Sequence, residues 1–259
     1  MDLTISIVTY NHEDIIIDTI ASIIANISEG LKYEIVIVDN SSQDKTVEVI
    51  SSAYPKIHII KSQNKGFGYG HNQSILTNNS RYHLVYNPDL LLQKGVVEQL
   101  IERMDARNEI MISIPKFRYK NGELQTCCKT DPTLFDAFSR KFFSTTIKKI
   151  SLIEKRMKKY ELLDRGYTKE MSVPVVSGAF MMCRGDILRT EKGFDDRFFM
   201  YYEDQDLCRR MRSHGELVFF PDLEVIHLWE RGAYKNLNLM KIMISSMIKY
   251  FNKWEWKFI

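Results

Sequence analysis

The sequence predicts an α/β fold in which helices cover both faces of a mostly parallel sheet. Strand-like and helix-like segments alternate through the first 107 residues, an order that is typical of parallel sheets. Short polar motifs follow directly after three of the strand-like segments. Because ligands of such sheets bind beyond the carboxyl ends of the strands, we expect a binding site along that edge.

The first half of the chain consists of apolar, β-branched segments that alternate with segments of helical periodicity. In the first helix-like segment, Ile16, Ile20 and Ile23 fall on one helix face. The predicted strands are Leu3–Thr9, Tyr33–Val38, Ile57–Ile60 and Arg81–Tyr86. The predicted helices are Glu13–Asn26, Asp44–Ala53, Tyr69–Asn79 and Gln93–Arg107.

The second half of the chain has a less regular pattern. A hairpin is expected within Phe117–Thr126, because Asn121-Gly122 is a turn signal. The other predicted strands are Ile110–Pro115, Val173–Cys183, Leu217–Phe220 and Glu224–His227. The predicted helices are Asp204–His214 and Leu237–Trp256, together with a basic amphipathic stretch from 134 to 160.

Length and composition favour one large domain, or a domain with an appendage. The chain has 259 residues, of which 44% are hydrophobic and 27% charged, so the core needs neither a metal nor a disulfide for folding. The four cysteines lack zinc-ligand spacing, and adjacent Cys127 and Cys128 make a poor disulfide pair, which favours a reducing compartment. We expect no signal peptide and no membrane-spanning segment, because the first strand follows Met1 closely and apolar runs are short.

The net charge is only +3, but many of the basic residues are concentrated in two clusters. Residues 140–160 carry eight basic side chains against Glu154, and residues 231–259 carry six against Glu255. Such clusters attract nucleic acid or anionic lipid, although a basic face can also be merely solvated. Nucleic acid does not account for the acidic motifs described next, so we expect an anionic membrane surface instead.

Two acidic motifs carry the chemistry that the sequence predicts. An aromatic run precedes Glu203, Asp204 and Asp206 and favours their partial burial. Partly buried carboxylates often have shifted pKa values, which suits a general base. At a helix N-terminus the same residues would simply favour the helix dipole. A second acidic motif, Asn87-Pro88-Asp89, follows a predicted strand. Together they indicate a base and a metal site in one cleft.

These motifs occur in an order that resembles family 2 glycosyltransferases of the GT-A fold, and the resemblance runs from residue 3 to about 232. The matching segments are Ile5–Asn11, Val36–Ser42, Asn64–Gly68 with Asn72, Asn87–Asp89, Ser177–Ala179 and Glu203-Asp204. The form Asn-Pro-Asp and the segment His227–Lys235 most resemble bacterial rhamnosyltransferases of surface-polysaccharide (O-antigen or capsule) biosynthesis.

The resemblance implies a domain organisation. A GT-A domain would span 1–232, with a Rossmann-like nucleotide-sugar-binding half at 1–110 that contributes to a mixed central sheet. The acceptor and catalytic half would span 111–232 and include a basic amphipathic insert at 134–170. A C-terminal amphipathic helix would follow at 233–259.

The resemblance also implies roles for the acidic residues. Asp204 would be the catalytic base, with Glu203 as the second candidate, whereas Asp206 would cap or orient the helix. Asp89 would bind Mg²⁺ or Mn²⁺ together with His227, although a lone histidine is as often structural. Asn87 replaces the first Asp of the family's Asp-x-Asp motif.

Nucleotide-sugar binding is implied for a further set of residues. Asp39 would accept a hydrogen bond from a pyrimidine base, unless it only caps a turn with Ser41 and Ser42. The glycine-rich loop would approach a phosphate, unless it is only a tight turn. The complete set is Thr9, Tyr10, Asn11, Asp39, Asn64, Gly66, Gly68, Asn87, Gly178, Arg231 and Lys235.

The function that follows from the resemblance is inverting sugar transfer. The donor would be a nucleoside-diphosphate sugar, with dTDP-L-rhamnose favoured, and the acceptor a lipid-linked saccharide. The protein would work in the cytoplasm, peripherally on the inner face of the cell membrane, and a homodimer is compatible with its apolar helix. A sugar nucleotidyltransferase and a catalytically inactive nucleotide-sugar-binding scaffold are the alternatives.

Overall fold

The computed structural model describes residues 1–142, 151–228 and 237–258. Its main feature is a mixed sheet with the strand order β3-β2-β1-β4-β11-β6-β12-β5, to which β7 and β9 add at β6 and β12. Strands β8 and β10 form a separate antiparallel pair. The strands are β1 Leu3–Thr9, β2 Tyr33–Asp39, β3 His58–Lys61, β4 Tyr82–Tyr86, β5 Leu90–Leu91, β6 Ile110–Tyr119, β7 Leu124–Gln125, β8 Cys128–Lys129, β9 Met171–Ser172, β10 Val175–Val176, β11 Phe180–Arg184 and β12 Glu216–His227.

The helices of the described residues connect these strands and cover the sheet. They are α1 Ile16–Asn26, α2 Thr46–Ala53, α3 Phe67–Ile75, α4 Val96–Ala106, α5 Leu134–Phe142, α6 Ser151–Tyr160, α7 Gly185–Thr190, α8 Glu203–Met211 and α9 Leu237–Trp254. In α1 the apolar stripe predicted from the sequence is buried, as Ile16, Ile20 and Ile23 are inaccessible to solvent. The alternation of strands and helices that the first half of the sequence predicts is therefore confirmed.

The first four strands pair in parallel with one another. Strand β1 lies between β2 and β4, with Thr9 opposite Asp39 and Ile7 opposite Tyr86. All seven residues of β1 are buried, as expected for a strand covered on both faces. The carboxyl ends of β1, β2 and β4 therefore meet at one edge of the sheet.

The second half of the sheet differs from the expected pattern at two places. Val173–Cys183 is not one strand: β10 ends before Ser177 and β11 begins after Ala179. Ser177 N donates to Cys127 O, whereas Phe180 pairs with Tyr86 of β4, so the segment crosses between two sheets. The two short strands around Pro221 are instead one strand, β12. It remains paired with β6 because a bulge between Phe220 and Glu224 accommodates the proline, which has no N–H to donate.

The C-terminal helix α9 packs on the domain. Tyr250 and Phe251 are buried in a cluster with Phe198 and Tyr202. Ser246 Oγ donates to Met200 O at 2.9 Å, which fixes the same helix to the segment before α8. No helix of the described residues is long and apolar enough to cross a membrane.

Three polar residues are buried together inside the parallel half of the domain. Ser6 Oγ lies 2.7 Å from Nδ1 of His71 and 2.8 Å from Nε2 of His83. Burial lowers the pKa of His83 to about 3 and holds the pKa of His71 well below its usual value. Both imidazoles are therefore neutral in the folded state and become protonated more readily when the chain unfolds.

We predict that the stability of the protein falls as the pH drops below about 6.5, because the unfolded state then binds protons that the buried histidines exclude. For each proton that the folded state excludes, the free energy of unfolding falls by about 1.4 kcal/mol more per pH unit. His83→Gln should reduce this slope in urea unfolding measured between pH 7 and pH 5. His58→Gln, a change at an exposed histidine, is the control and should retain the full slope. An unchanged slope in His83→Gln would contradict the prediction.

Candidate active site

The predicted site residues of the first two strands lie at the carboxyl edge of the sheet. Asp39 is buried at the end of β2, where its Oδ1 lies 3.3 Å from Thr9 Oγ1 and its Oδ2 accepts a hydrogen bond from Ser42 N at 3.2 Å. Beside it lies a cleft of about 430 Å³. The cleft is lined by Asp39, Ser41, Ser42, Asp44, Val47, Lys61, Ser62 and Gln63. Asp39 thus caps a turn and also borders a cavity, so the two interpretations of this residue are compatible.

The loop after β1 borders the same edge. Tyr10 is 47% exposed, which leaves its ring free to stack on a flat ligand. Asn11 has a φ of 58°, a left-handed conformation that asparagine tolerates well. Its Oδ1 accepts from Gln43 N at 2.7 Å and its N donates to Ser42 Oγ at 3.0 Å, so the loops after β1 and β2 are joined.

The glycine-rich loop has a packing role in this structure. Gly66 has a φ of +121°, and a Cβ there would lie within 2.2 Å of Phe199 O. A Cβ at Gly68 would lie 2.5 Å from Phe194 Cβ. Close packing alone thus accounts for both glycines. Asn64 is exposed at the start of the loop, and a contact of any of the three residues with phosphate stays a prediction.

Asp89 and His227 meet at the end of the sheet, as the metal-site interpretation requires. Nε2 of His227 lies 3.1 Å from Oδ1 of Asp89, and Nδ1 of His227 lies 2.9 Å from Oε1 of Gln125. Burial opposes ionisation of Asp89, but the adjacent His227 imidazole outweighs it and lowers the pKa of the carboxyl group. His227 is only 6% exposed.

The donor set at this position fits a divalent cation that is shared with a ligand. A carboxylate and an imidazole converge, and the Oδ1 atom of Asn87, two residues before Asp89, is buried without a hydrogen-bond partner among the described residues. Within that part of the chain, no group of three or more His, Cys, Asp or Glu side chains is arranged to hold a metal. Such a set suits Mg²⁺ or Mn²⁺ whose remaining ligands are diphosphate and water.

One short loop connects the metal motif with the candidate base. Asn87 N donates to Ala179 O at 2.8 Å, and the neighbouring Gly178 N donates to Asp204 Oδ2 at 3.3 Å. A Cβ on Gly178 would lie only 3.1 Å from the Asp204 Cβ, so glycine allows this close approach. The loop that interrupts the expected strand therefore brings Asn87 and Asp204 together.

Glu203 and Asp204 are neighbours with different environments. Burial, and then the charge of Asp204, raise the pKa of Glu203 to about 8. Glu203 Oε2 is buried and has no hydrogen-bond partner within the described residues. Asp204 is partly exposed, and its Oδ1 accepts from Gln205 N at 2.8 Å. Glu203 is therefore protonated at neutral pH, and Asp204 is the better placed of the two to accept a proton.

Asp206 is fully buried in the first turn of α8, and its role is structural. Its carboxylate lies 2.9 Å from Arg210 Nε, 2.6 Å from Lys253 Nζ and 2.7 Å from Trp254 Nε1. Just before this turn, Tyr201 and Tyr202 have φ values of 71° and 68°. The C-terminal helix thus holds a strained entry into α8 and orients the turn, as the sequence suggested for Asp206.

One residue near the site carries no role in the sequence-based interpretation. His12 Nδ1 accepts a hydrogen bond from Tyr10 N at 3.1 Å. Burial lowers the pKa of His12, and the charges of Asp89 and Asp44 partly offset this effect. Its position directly after Asn11 in the motif was the available signal.

Arg231 and Lys235, predicted to contact the diphosphate, lie outside the described residues.

Comparison with protein families identifies the chain. The family model described as glycosyl transferase family 2 matches residues 4–189. The chain belongs to glycosyl transferase family 2. It is therefore a glycosyltransferase. The matched part of this family 2 chain ends before α8, the helix that carries Glu203 and Asp204.

This family 2 chain is similar to two bacterial rhamnosyltransferases. It is 26% identical to rhamnosyltransferase WbbL of Escherichia coli (strain K12) over 236 residues, which cover 86% of the chain and 82% of WbbL. It is 24% identical to the N-acetylglucosaminyl-diphospho-decaprenol L-rhamnosyltransferase of Mycobacterium tuberculosis (strain ATCC 25618 / H37Rv) over 210 residues. That match covers 74% of the chain and 66% of the mycobacterial protein.

Solved structures confirm the expected GT-A fold. The mannosyltransferase PcManGT from Pyrobaculum calidifontis, in complex with GDP-Man and Mn²⁺, matches with a TM-score of 0.65 at 14% identity. GalNAc-T7, with UDP, GalNAc and Mn²⁺, matches with a TM-score of 0.67 at 12% identity. The matches cover 97% and 98% of the family 2 chain but only 63% and 48% of the two solved chains.

We predict that Trp254→Phe destabilises this glycosyltransferase by about 1–3 kcal/mol, because it removes a hydrogen bond to the buried Asp206 carboxylate while it keeps an aromatic ring. Urea unfolding measures the effect. The matched control is Trp256→Phe, which removes only the exposed bond from Trp256 Nε1 to Asn252 Oδ1 and should cost less than about 0.5 kcal/mol. Equal losses in the two variants would show that Asp206 does not depend on this contact.

Proposed function

We propose that the chain is an inverting rhamnosyltransferase that moves L-rhamnose from dTDP-L-rhamnose to a lipid-linked saccharide of bacterial surface-polysaccharide synthesis. The observation that carries the proposal is the alignment along one sheet edge of the Asp39 cleft, the Asp89–His227 pair and Asp204. The names of WbbL and of the mycobacterial relative support rhamnose as the sugar. The mycobacterial name also supports an acceptor linked to a polyprenyl diphosphate.

In the proposed reaction, Asp204 accepts the proton of the acceptor hydroxyl. The acceptor oxygen then forms a bond to the anomeric carbon as the bond from that carbon to the diphosphate breaks, and attack from the opposite side inverts the configuration. Gly178 N holds Asp204 in place. Protonated Glu203 adds no second negative charge beside the base.

Asp89 and His227, together with the unpartnered Oδ1 of Asn87, are the residues that would hold Mg²⁺ or Mn²⁺. When bound, such a cation supplies positive charge that stabilises a leaving diphosphate. Asp39, Thr9 and the loop with Tyr10 and Asn11 bind the nucleoside at the neighbouring strand ends in this proposal.

We expect dTDP-L-rhamnose with Mn²⁺ to raise the apparent melting temperature more than other nucleotide sugars do, since a ligand of the native state stabilises it by mass action. Asp89→Ala and excess EDTA should each remove most of this shift and nearly stop transfer. Asp18→Ala, at an exposed position of α1, should leave both unchanged. An undiminished rise in melting temperature and full sugar transfer in EDTA would refute the metal role. A larger rise in melting temperature with another nucleotide sugar would refute dTDP-L-rhamnose as the donor.

Replacing the two acidic residues should separate their roles. Asp204→Asn should lower turnover by roughly 10²–10⁴-fold, the usual contribution of a general base, and leave the thermal shift with the donor nearly intact. Glu203→Gln should lower turnover much less, because glutamine resembles the protonated glutamic acid that the burial of Glu203 favours. Near-normal turnover of Asp204→Asn with a working acceptor would exclude Asp204 as the base.

A peripheral membrane contact remains part of the proposal, with a smaller surface than the sequence suggested. Within the basic cluster at 231–259, Tyr250 and Phe251 are buried and therefore do not face lipid. Helix α6 retains exposed Leu152, Lys155, Lys158 and Lys159, whereas Lys148 and Lys149 lie outside the described residues. Trp256 and Phe258 stay exposed at the C-terminal end.

We therefore predict binding to vesicles that contain anionic lipid, reversed by high salt, and no binding to neutral vesicles. Lys155→Glu with Lys159→Glu should weaken sedimentation with anionic vesicles, as each lysine near such a surface contributes about 1 kcal/mol. Lys56→Glu with Lys94→Glu makes the same change in charge at exposed positions elsewhere and should have little effect. Equal loss in both double variants would reject α6 as the contact surface.

A further inference from the structure

Gln125 is the residue that engages the second ring nitrogen of His227. It lies on the short strand β7, which pairs with β6 so that Gln125 stands opposite Phe117. His227 lies at the end of β12, on the other side of β6, opposite Tyr119. The hairpin therefore brings the carboxamide of Gln125 to His227, where Oε1 lies 2.9 Å from Nδ1.

This contact determines which ring nitrogen of His227 faces Asp89. A carboxamide oxygen can only accept a hydrogen bond, so Nδ1 carries a hydrogen and donates it. Nε2 is then the nitrogen directed at Asp89 Oδ1, at 3.1 Å. The ring of Phe117 meets the imidazole edge to face at a centroid distance of 5.7 Å and restrains its plane.

We propose that Gln125 is a positioning residue, which holds Nε2 of His227 towards Asp89 and thereby sets the strength of the divalent-cation site. The inference rests on the proposed function, because it takes Asp89 and His227 as ligands of a cation bound with a nucleoside diphosphate. A hydrogen-bond acceptor behind a ligating histidine commonly changes metal affinity by about 10–100-fold. Gln125 does not contact the cation itself; it acts through the orientation of the imidazole.

Three variants of the full chain test this role with Mn²⁺ and dTDP as probes, without any sugar transfer. Gln125→Leu removes the acceptor, Gln125→Glu keeps one, and Gln99→Leu changes an exposed glutamine on α4 as the control. Free Mn²⁺ is measured by electron paramagnetic resonance during titration at saturating dTDP. We expect the dissociation constant of Mn²⁺ to rise about 10–100-fold in Gln125→Leu and to stay within a few-fold of wild type in the other two.

The binding of dTDP in EDTA and the metal-free melting temperature are measured in parallel, and both should stay near wild type in Gln125→Leu. Wild-type affinity for Mn²⁺ in Gln125→Leu overturns the inference and leaves the proposed function intact. An equal loss of Mn²⁺ affinity in Gln125→Glu also overturns the inference, because the hydrogen-bond acceptor would then make no difference. If the wild-type protein binds dTDP but no Mn²⁺, both the metal role and the inference are refuted. If it binds neither, the proposed donor is refuted as well.

Discussion

The buried carboxylate of Asp206 is the constraint on which the arrangement of α8 and the turn before it depends. An uncompensated charge at this depth costs several kcal/mol, so its partners have to be in place whenever the protein is folded. Arg210 comes from the same helix, whereas Lys253 and Trp254 come from the C-terminal helix. The turn that carries Asp204 is therefore positioned by residues from the far end of the chain.

The same contacts explain a backbone that is unfavourable on its own. Two consecutive tyrosines in the left-handed region each cost of order 1–3 kcal/mol and persist only where the surroundings enforce them. The ring of Tyr202 packs on Tyr250 and Phe251, so burial of aromatic surface offsets this cost. The result is a sharp entry into α8 that presents Glu203 to the interior and Asp204 to the loop at Gly178. Burial at this position raises the pKa of Glu203 to about 8, whereas its neighbour Asp204 remains partly exposed.

The sheet edge that carries Thr9 and Asp39 is organised by a simpler rule, since parallel strands end at one edge. Asp39 and Thr9 are brought together by their register in neighbouring strands. The glycines after β3 serve this arrangement indirectly: the absence of a Cβ at Gly66 and Gly68 lets α3 pack against the segment that contains Phe194 and Phe199. That segment leads directly into Tyr201 and α8, so the packing of α3 and the entry into α8 are linked.

The sequence alone determined the parallel half of the fold, because hydrophobic periodicity and strand-end motifs are local properties. Strand β1 has the predicted bounds, and helix and strand ends elsewhere in that half differ by a few residues. The motif order also predicted the family. Val173–Cys183 was misread as one strand, because its apolar residues continue through Ser177–Ala179 while its hydrogen bonds pass from one sheet to another. Only the tertiary structure decided that Gln125 engages His227, that Tyr250 and Phe251 face the core, and that Glu203 is buried while Asp204 is partly exposed. Each of these depends on burial or on partners distant in sequence, and no local pattern records them.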